Sequence, residues 1–140
     1  MIAELTGEYR FLSNFWSCFI SFEGVTYPSV ENAYQAAKCF NTQDREKFFY
    51  CKASEAKRLG RVVRIRTDWE TKKIEVMRDL VMQKFRDPRL KGLLLATGSQ
   101  VIEEGNWWGD TFWGTVNGVG LNMLGKILMF VRDDLRKEKS

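Results

Sequence analysis

Glu31, Gln35 and Lys38 are spaced four and then three residues apart, which places an acid, an amide and an amine on one face of a helix. An acid can transfer a proton or offset positive charge at carbon, and an amide can orient a polar edge. An amine with a lowered pKa is a nucleophile for carbonyl or imine carbon. The same stripe has a structural reading. Glu31 falls in the first turn, where the helix dipole favours an acid, and Lys38 falls near the end, where it favours a cation.

Four other stretches carry reactive or recognising groups. Glu104-Gly105-Asn106-Trp107-Trp108-Gly109-Asp110-Thr111-Phe112-Trp113-Gly114 holds three of the five tryptophans, two carboxylates and an amide. A carboxylate beside indole rings can stabilise positive charge developing at a sugar carbon; alternatively, Asp110 and Asn106 cap the amides of a tight loop. Arg10-Phe11-Leu12-Ser13-Asn14-Phe15-Trp16 offers rings for stacking and an amide for a base edge, or else is a buried turn. Lys57, Arg58, Arg61, Arg64 and Arg66 suit phosphate oxygens or a solvated face. Asn117-Gly118-Val119-Gly120-Leu121-Asn122 can bring backbone amides near an anion ahead of the last helix, but is not a dinucleotide fingerprint.

The chain has no histidine, so acid–base work falls to carboxylates, lysine, tyrosine or cysteine. No metal site and no cofactor are expected. Cys18, Cys39 and Cys51 are dispersed, without paired spacing, and read as free thiols. A net charge of +4 weakly favours anionic partners. The length of 140 residues fits one domain, with 44% hydrophobic and 29% charged residues supplying an ordinary core and surface. Met1-Ile2-Ala3-Glu4-Leu5 has neither a basic nor an apolar leader pattern, and no apolar run is long enough to span a bilayer. A cytoplasmic protein without a membrane partner is expected.

The positioning elements follow from pattern. Cys18 to Tyr27 reads as a short hairpin turning at Gly24. Ser29 caps a helix whose packing face is Val30, Ala33, Ala37 and Phe40. Asp44 to Tyr50 and Ser54 to Leu59 read as short helices, the second closed by Gly60, and Arg61 to Arg66 as extended chain. Thr67 and Glu70 have capping-box spacing and start a helix running to about Arg86, with a buried stripe of Ile74, Met77, Val81 and Phe85. Asp87-Pro88 begins another, carrying Leu90, Leu93, Leu94 and Ala96 and stopping at Gly98. Gln100 to Glu103 reads as a strand. Leu124, Ile127, Leu128, Val131 and Leu135 mark a last amphipathic helix. A single α+β domain over 1–140, mostly helical with a small antiparallel sheet, follows.

Taken together, several blocks resemble one family. They are Phe11-Leu12-Ser13-Asn14-Phe15, Tyr27-Pro28-Ser29-Val30-Glu31-Asn32-Ala33-Tyr34-Gln35-Ala36-Ala37-Lys38, Ala56-Lys57-Arg58-Leu59-Gly60-Arg61, and Trp69 with Val76-Met77 and Lys84-Phe85. After them come Leu94-Leu95-Ala96-Thr97-Gly98, the segment 104–114, and Gly120-Leu121-Asn122-Met123-Leu124-Gly125-Lys126. In order and spacing they resemble the NADAR (YbiA-like) family, over a core of about 9–132 with a basic tail at 133–140.

The resemblance implies a YbiA-like fold and an N-glycosidase. Its substrates would join C1 of a phosphorylated ribose or of ADP-ribose to the exocyclic amine of a guanine-type or pyrimidinone base. They would be riboflavin-pathway intermediates or ADP-ribosylated guanine, the latter possibly within nucleic acid. Glu31, Gln35, Lys38, Asn14, Asp110, Trp113 and Asn122 match the family's motif residues, with Glu31, Lys38 and Asp110 as the catalytic set. Phe11, Phe15 and Trp113 would wall the base and sugar, and Arg10, Arg61 and Lys84 would meet phosphate. Trp69, Glu104 and Gly114 join the substrate-binding set. Asn32 departs from the family, in which histidine is common after the helix glutamate, and it cannot titrate near neutral pH.

The chemistry has two routes. A carboxylate pair can work as in glycoside hydrolysis, or Lys38 can form a transient Schiff base with a ring-opened ribosylamine. The rival readings are a non-catalytic module for ADP-ribose or a nucleotide, and a basic nucleic-acid-binding protein.

Overall fold

The hairpin forms where the glycine places its turn. In a computed structural model, which describes residues 1–138, β1 (Ile20–Phe22) pairs antiparallel with β2 (Val25–Tyr27). Ile20 lies opposite Tyr27 and Phe22 opposite Val25. Glu23 and Gly24 take φ of 47° and 84°, the positive values that a two-residue hairpin turn needs. The architecture is α+β and mostly helical, and among the described residues this two-stranded sheet is the only one. No helix among them is long and apolar enough to cross a membrane.

Within the fold two compact units are interleaved in sequence, Asn14–Lys84 and Met1–Ser13 with the described residues from Phe85 onward. The first unit holds the hairpin, α1 (Val30–Ala37), α2 (Thr42–Arg45), α3 (Ala53–Leu59) and α4 (Trp69–Lys84). Ser29 caps α1 as its sequence predicts, its hydroxyl oxygen accepting the Asn32 amide at 3.0 Å. α1 packs against α3, α4 and both strands, and every residue from Val30 to Ala37 is buried. Phe40, expected on its packing face, lies beyond the helix and is exposed.

Three local expectations in this unit give way to competing bonds. Arg61 to Arg66 is not a strand; one antiparallel bridge joins Cys39 to Ile65. The Thr67–Glu70 capping box does not form. Arg66 instead grips Asp68 through two nitrogens, at 2.6 and 2.9 Å, and Glu70 pairs with Lys73 at 2.8 Å. α4 stops at Lys84, short of Arg86, and its buried face is Trp69, Met77, Leu80, Val81 and Lys84, while Ile74 is exposed.

The other unit contains a 3-10 helix (Gly7–Leu12), α5 (Pro88–Leu95) and α6 (Met123–Lys137). Asp87 caps α5 by accepting the amides of Arg89 and Leu90, with Pro88 in the first turn. Leu93 of the predicted stripe is exposed. Gln100 to Glu103 contributes only a parallel bridge, Ile2 to Ile102. On α6 the predicted Leu124, Ile127, Leu128, Val131 and Leu135 are all buried, each contributing roughly 1.5–3 kcal/mol on full burial. The basic tail expected from 133 is helical through Lys137, because Leu135 is a core residue and Arg136 donates to Gly98 O and Asp133. The tail's Lys139 and Ser140 lie outside the described residues.

Candidate active site

A helix buried along its whole length rarely carries polar side chains unless each has a partner. α1 carries three. Asn32 is fully buried and spends its amide on structure. Nδ2 donates to Phe48 O (3.0 Å) and Cys51 O (2.9 Å), while Oδ1 accepts the Ser29 hydroxyl at 2.6 Å. The position where the family often has histidine therefore ties α1 to the chain between α2 and α3.

Glu31 is 8% exposed and Gln35 6%. Gln35 Nε2 donates to Glu31 Oε2 at 2.7 Å, and the Glu31 backbone amide donates to Asn14 O at 3.0 Å. The acid is thus fixed at both ends, by the preceding turn and by the amide one helical turn on. On its other side the Gln35 amide lies against Gly60. A β-carbon at Gly60 would sit 1.9 Å from Gln35 Oε1. Gly60 has an ordinary helical φ of −61°, so space rather than backbone conformation calls for glycine here.

Lys38 ends α1 and is half-buried, its Nζ donating to Gly60 O at 3.2 Å. Burial lowers the pKa of its amine below the ordinary lysine value; Glu31 and Cys39 oppose the drop, and Lys73 and Arg61 add to it. Gly60 thus meets Gln35 through its missing Cβ and Lys38 through its carbonyl. Sequence reasoning read Gly60 only as the end of α3. The one available signal was its place inside the Ala56–Arg61 block.

The other predicted residues of this unit divide by burial. Asn14 places Nδ2 3.4 Å from Met77 Sδ. Phe15 is exposed, with the Lys57 ammonium 6.0 Å from its ring centre. Arg61 is exposed. Trp69 is buried against Tyr34, ring centres 5.1 Å apart, a contact that joins α4 to α1. Lys84 is 3% exposed, and burial pushes its pKa down to about 7, with Cys18 opposing.

In the second unit the 104–114 segment holds its own shape. Asp110 Oδ1 accepts the amides of Phe112 (3.0 Å) and Trp113 (2.9 Å), and Asn106 bonds both the amide and the carbonyl of Asp110. Both ends of the Asn122 amide serve backbone, Oδ1 accepting from Glu104 N and Nδ2 donating to Ile102 O, each at 2.9 Å. A Cβ at Gly114 would meet Glu104 O. These are the contacts of the loop-capping alternative; they engage one oxygen of the Asp110 carboxyl, both ends of the Asn122 amide and the space at Gly114. Glu104 and Phe11 are buried, Trp113 is half-buried with its ring edge-on to Phe112, and Arg10 is exposed. Asn117-Gly118 is a tight turn whose flanking Val116 and Val119 exchange backbone bonds, so this pair of amides is not directed at an anion.

The fold is small, mixed and mostly helical, with an acid, an amide and an amine following one another along α1 and its C-terminal end. The chain belongs to the NADAR family: the family's model, the NADAR domain, matches residues 3–136. A riboflavin biosynthesis protein of Vibrio vulnificus is 40% identical over 93% of this chain, which spans only 36% of that protein's length. An N-glycosidase of Nostoc punctiforme is 36% identical, with 91% of this chain and 86% of that protein aligned. N-glycosidase YbiA of Escherichia coli is 35% identical, with 94% and 85% aligned. The solution structure of E. coli YbiA superposes with a TM-score of 0.84 at 33% identity, covering 98% of this chain and 84% of that one.

Proposed function

We propose that the protein is an N-glycosidase that hydrolyses the bond between C1 of a phosphorylated ribose or ADP-ribose and the exocyclic amine of a guanine-type or pyrimidinone base. The activity class follows the N-glycosidases it resembles along 85–86% of their length. The observation that carries the reading is the face of α1: a buried Glu31 held by Gln35, followed one turn later by a lysine whose affinity for its proton is lowered.

Glu31 has two uses in such a reaction. It can offset the positive charge that builds at C1 as the C–N bond lengthens, and it can orient the water that attacks there. Gln35 keeps the carboxyl in one rotamer, so little reorganisation is needed at the moment of reaction.

Lys38 supports a second route with a distinct intermediate. The sugar ring opens to an imine of the base nitrogen. The neutral Lys38 amine adds to that carbon, and the base departs with the proton as a free amine. Water then hydrolyses the lysine imine, returning the amine and releasing the sugar aldehyde. Burial of Lys38 favours its neutral form and so raises the fraction able to attack.

The test is a product assay with a phosphoribosylamino-pyrimidine and with ADP-ribosylated guanosine, using wild type, Glu31→Ala and Lys38→Ala. Release of free sugar phosphate or ADP-ribose by wild type, lost in both variants, is the expected result. Binding without release makes the protein a ligand-binding module. Equal turnover by all three overturns the assignment of this face.

A further inference from the structure

The Asn14–Lys84 unit carries a cleft of about 590 Å³ between the hairpin and the chain leading into α3. Phe15, Phe19, Phe49, Tyr50 and Lys52 line it. Three of these rings face solvent to an extent that is costly for an isolated protein: Phe15 is 43% exposed, Phe19 88% and Tyr50 94%. Large aromatics scattered singly are unremarkable, but several exposed rings around one cleft mark a binding surface. Cations stand beside them. Lys52 lines the cleft and Lys57 lies over the Phe15 ring.

Rings with cations at their rim suit one ligand chemistry better than others. A nucleobase presents a π-face to a phenyl or phenol ring, and its phosphate meets an ammonium group. An apolar peptide has no use for the cations, and a free phosphate has no use for the rings. The cleft also sits close to the reactive face in sequence and in bonding. Asn14, whose carbonyl fixes the Glu31 amide, precedes Phe15, and Asn32 of α1 lines the cleft one residue after Glu31.

We propose that this cleft is a stacking site for a base of single-stranded nucleic acid, separate from the Glu31–Gln35–Lys38 face. If the site rests on the N-glycosidase reading, its role is to hold a nucleotide flanking the base to be released, which selects a nucleic-acid strand over a free nucleotide. As a binding site it stands without that reading.

The experiment measures fluorescence anisotropy of a labelled twelve-residue oligothymidylate with wild type, Phe19→Ala, Tyr50→Ala and, as a control outside the cleft, the exposed Trp107→Ala. Both cleft substitutions remove exposed rings and leave the core intact. Affinity falls about tenfold or more in each cleft variant, the size expected of one lost base stack, and is unchanged in Trp107→Ala. Affinity equal to wild type in Phe19→Ala and Tyr50→Ala overturns the proposal. So does a wild-type dimer that both cleft variants dissolve, which would make a second copy the occupant. The two readings fail separately. Cleft-dependent binding with no product release rejects the N-glycosidase and keeps the cleft. Product release that Glu31→Ala abolishes, with binding indifferent to Phe19 and Tyr50, does the reverse.

Discussion

Gly60→Ala tests the geometry of the site without touching any group that could react. The backbone accepts alanine there, since φ is −61°, and relief of unfolded-state entropy favours the change by roughly 0.4–1 kcal/mol. The new Cβ, however, would sit 1.9 Å from Gln35 Oε1 and 2.5 Å from its Cδ, with the Ala56 carbonyl at 3.3 Å blocking retreat on that side. The Gln35 amide must swing away and release Glu31. A hydrogen bond to a charged partner contributes about 1.5–3 kcal/mol, so the net loss of stability should be about 1–2 kcal/mol. If that bond holds the acid in its reactive position, kcat/KM falls by roughly 10- to 150-fold. Lys38 keeps its carbonyl partner, so any borohydride-trapped adduct should survive. A double-mutant cycle with Gln35→Ala isolates the cause, with stability read by denaturant unfolding and kcat/KM by product release. In the Gln35→Ala background Gly60→Ala should be neutral or slightly stabilising. The same loss in both backgrounds, or full activity in Gly60→Ala alone, would refute the reasoning.

Further outcomes follow from the same contacts. In the Schiff-base route kcat/KM should rise with pH through a pKa below 10.5, the ordinary lysine value, and borohydride should trap an enzyme–sugar adduct that Lys38→Ala abolishes; no adduct during turnover leaves the carboxylate route. Lys84 binds its proton less readily folded than unfolded, so between about 7 and 10.5 the unfolded chain holds the extra proton and stability rises with pH across that window. Lys84→Met removes this titration, so its stability relative to wild type should shrink from pH 6.5 to 9.5 by denaturant midpoint; a difference constant with pH counts against it. Asn32→Ala leaves Phe48 O and Cys51 O without their donor and should cost roughly 2–4 kcal/mol by thermal or chemical unfolding. Asp110→Asn keeps an oxygen for the Phe112 and Trp113 amides and should stay within a few-fold of wild-type activity; a hundredfold loss at unchanged stability would make that carboxylate a reactant.

Much of the scaffold is readable from local physics. The Ser29 cap, the Gly24 turn, the Asp87-Pro88 start and the five apolar positions of α6 depend on interactions within a few residues, or on a periodicity that burial preserves. The expectations that changed had distant or competing partners. Arg66 takes Asp68 and Lys73 takes Glu70, which dissolves the predicted capping box. Residues 61–66 and 100–103 have strand composition but only one bridge each.

The sequence by itself determined which groups are available: an acid, an amide and an amine at helical spacing, and no imidazole anywhere in 140 residues. It also determined that they share a face, because 3.6 residues per turn follows from the backbone alone. It did not separate a solvated stripe from a buried one, since the helix dipole favours the same residues in the same places. Tertiary structure decided that. It encloses α1 on every side, binds Gln35 to Glu31, and brings Gly60, twenty-five residues further along, against the Gln35 amide and under the Lys38 ammonium. In the second unit it turns Oδ1 of Asp110 to the amides of its own turn. The physical reason is common to both. Spacing fixes the direction in which a side chain leaves the backbone, but the dielectric around it and the partner it meets are set by chain segments that only folding brings near.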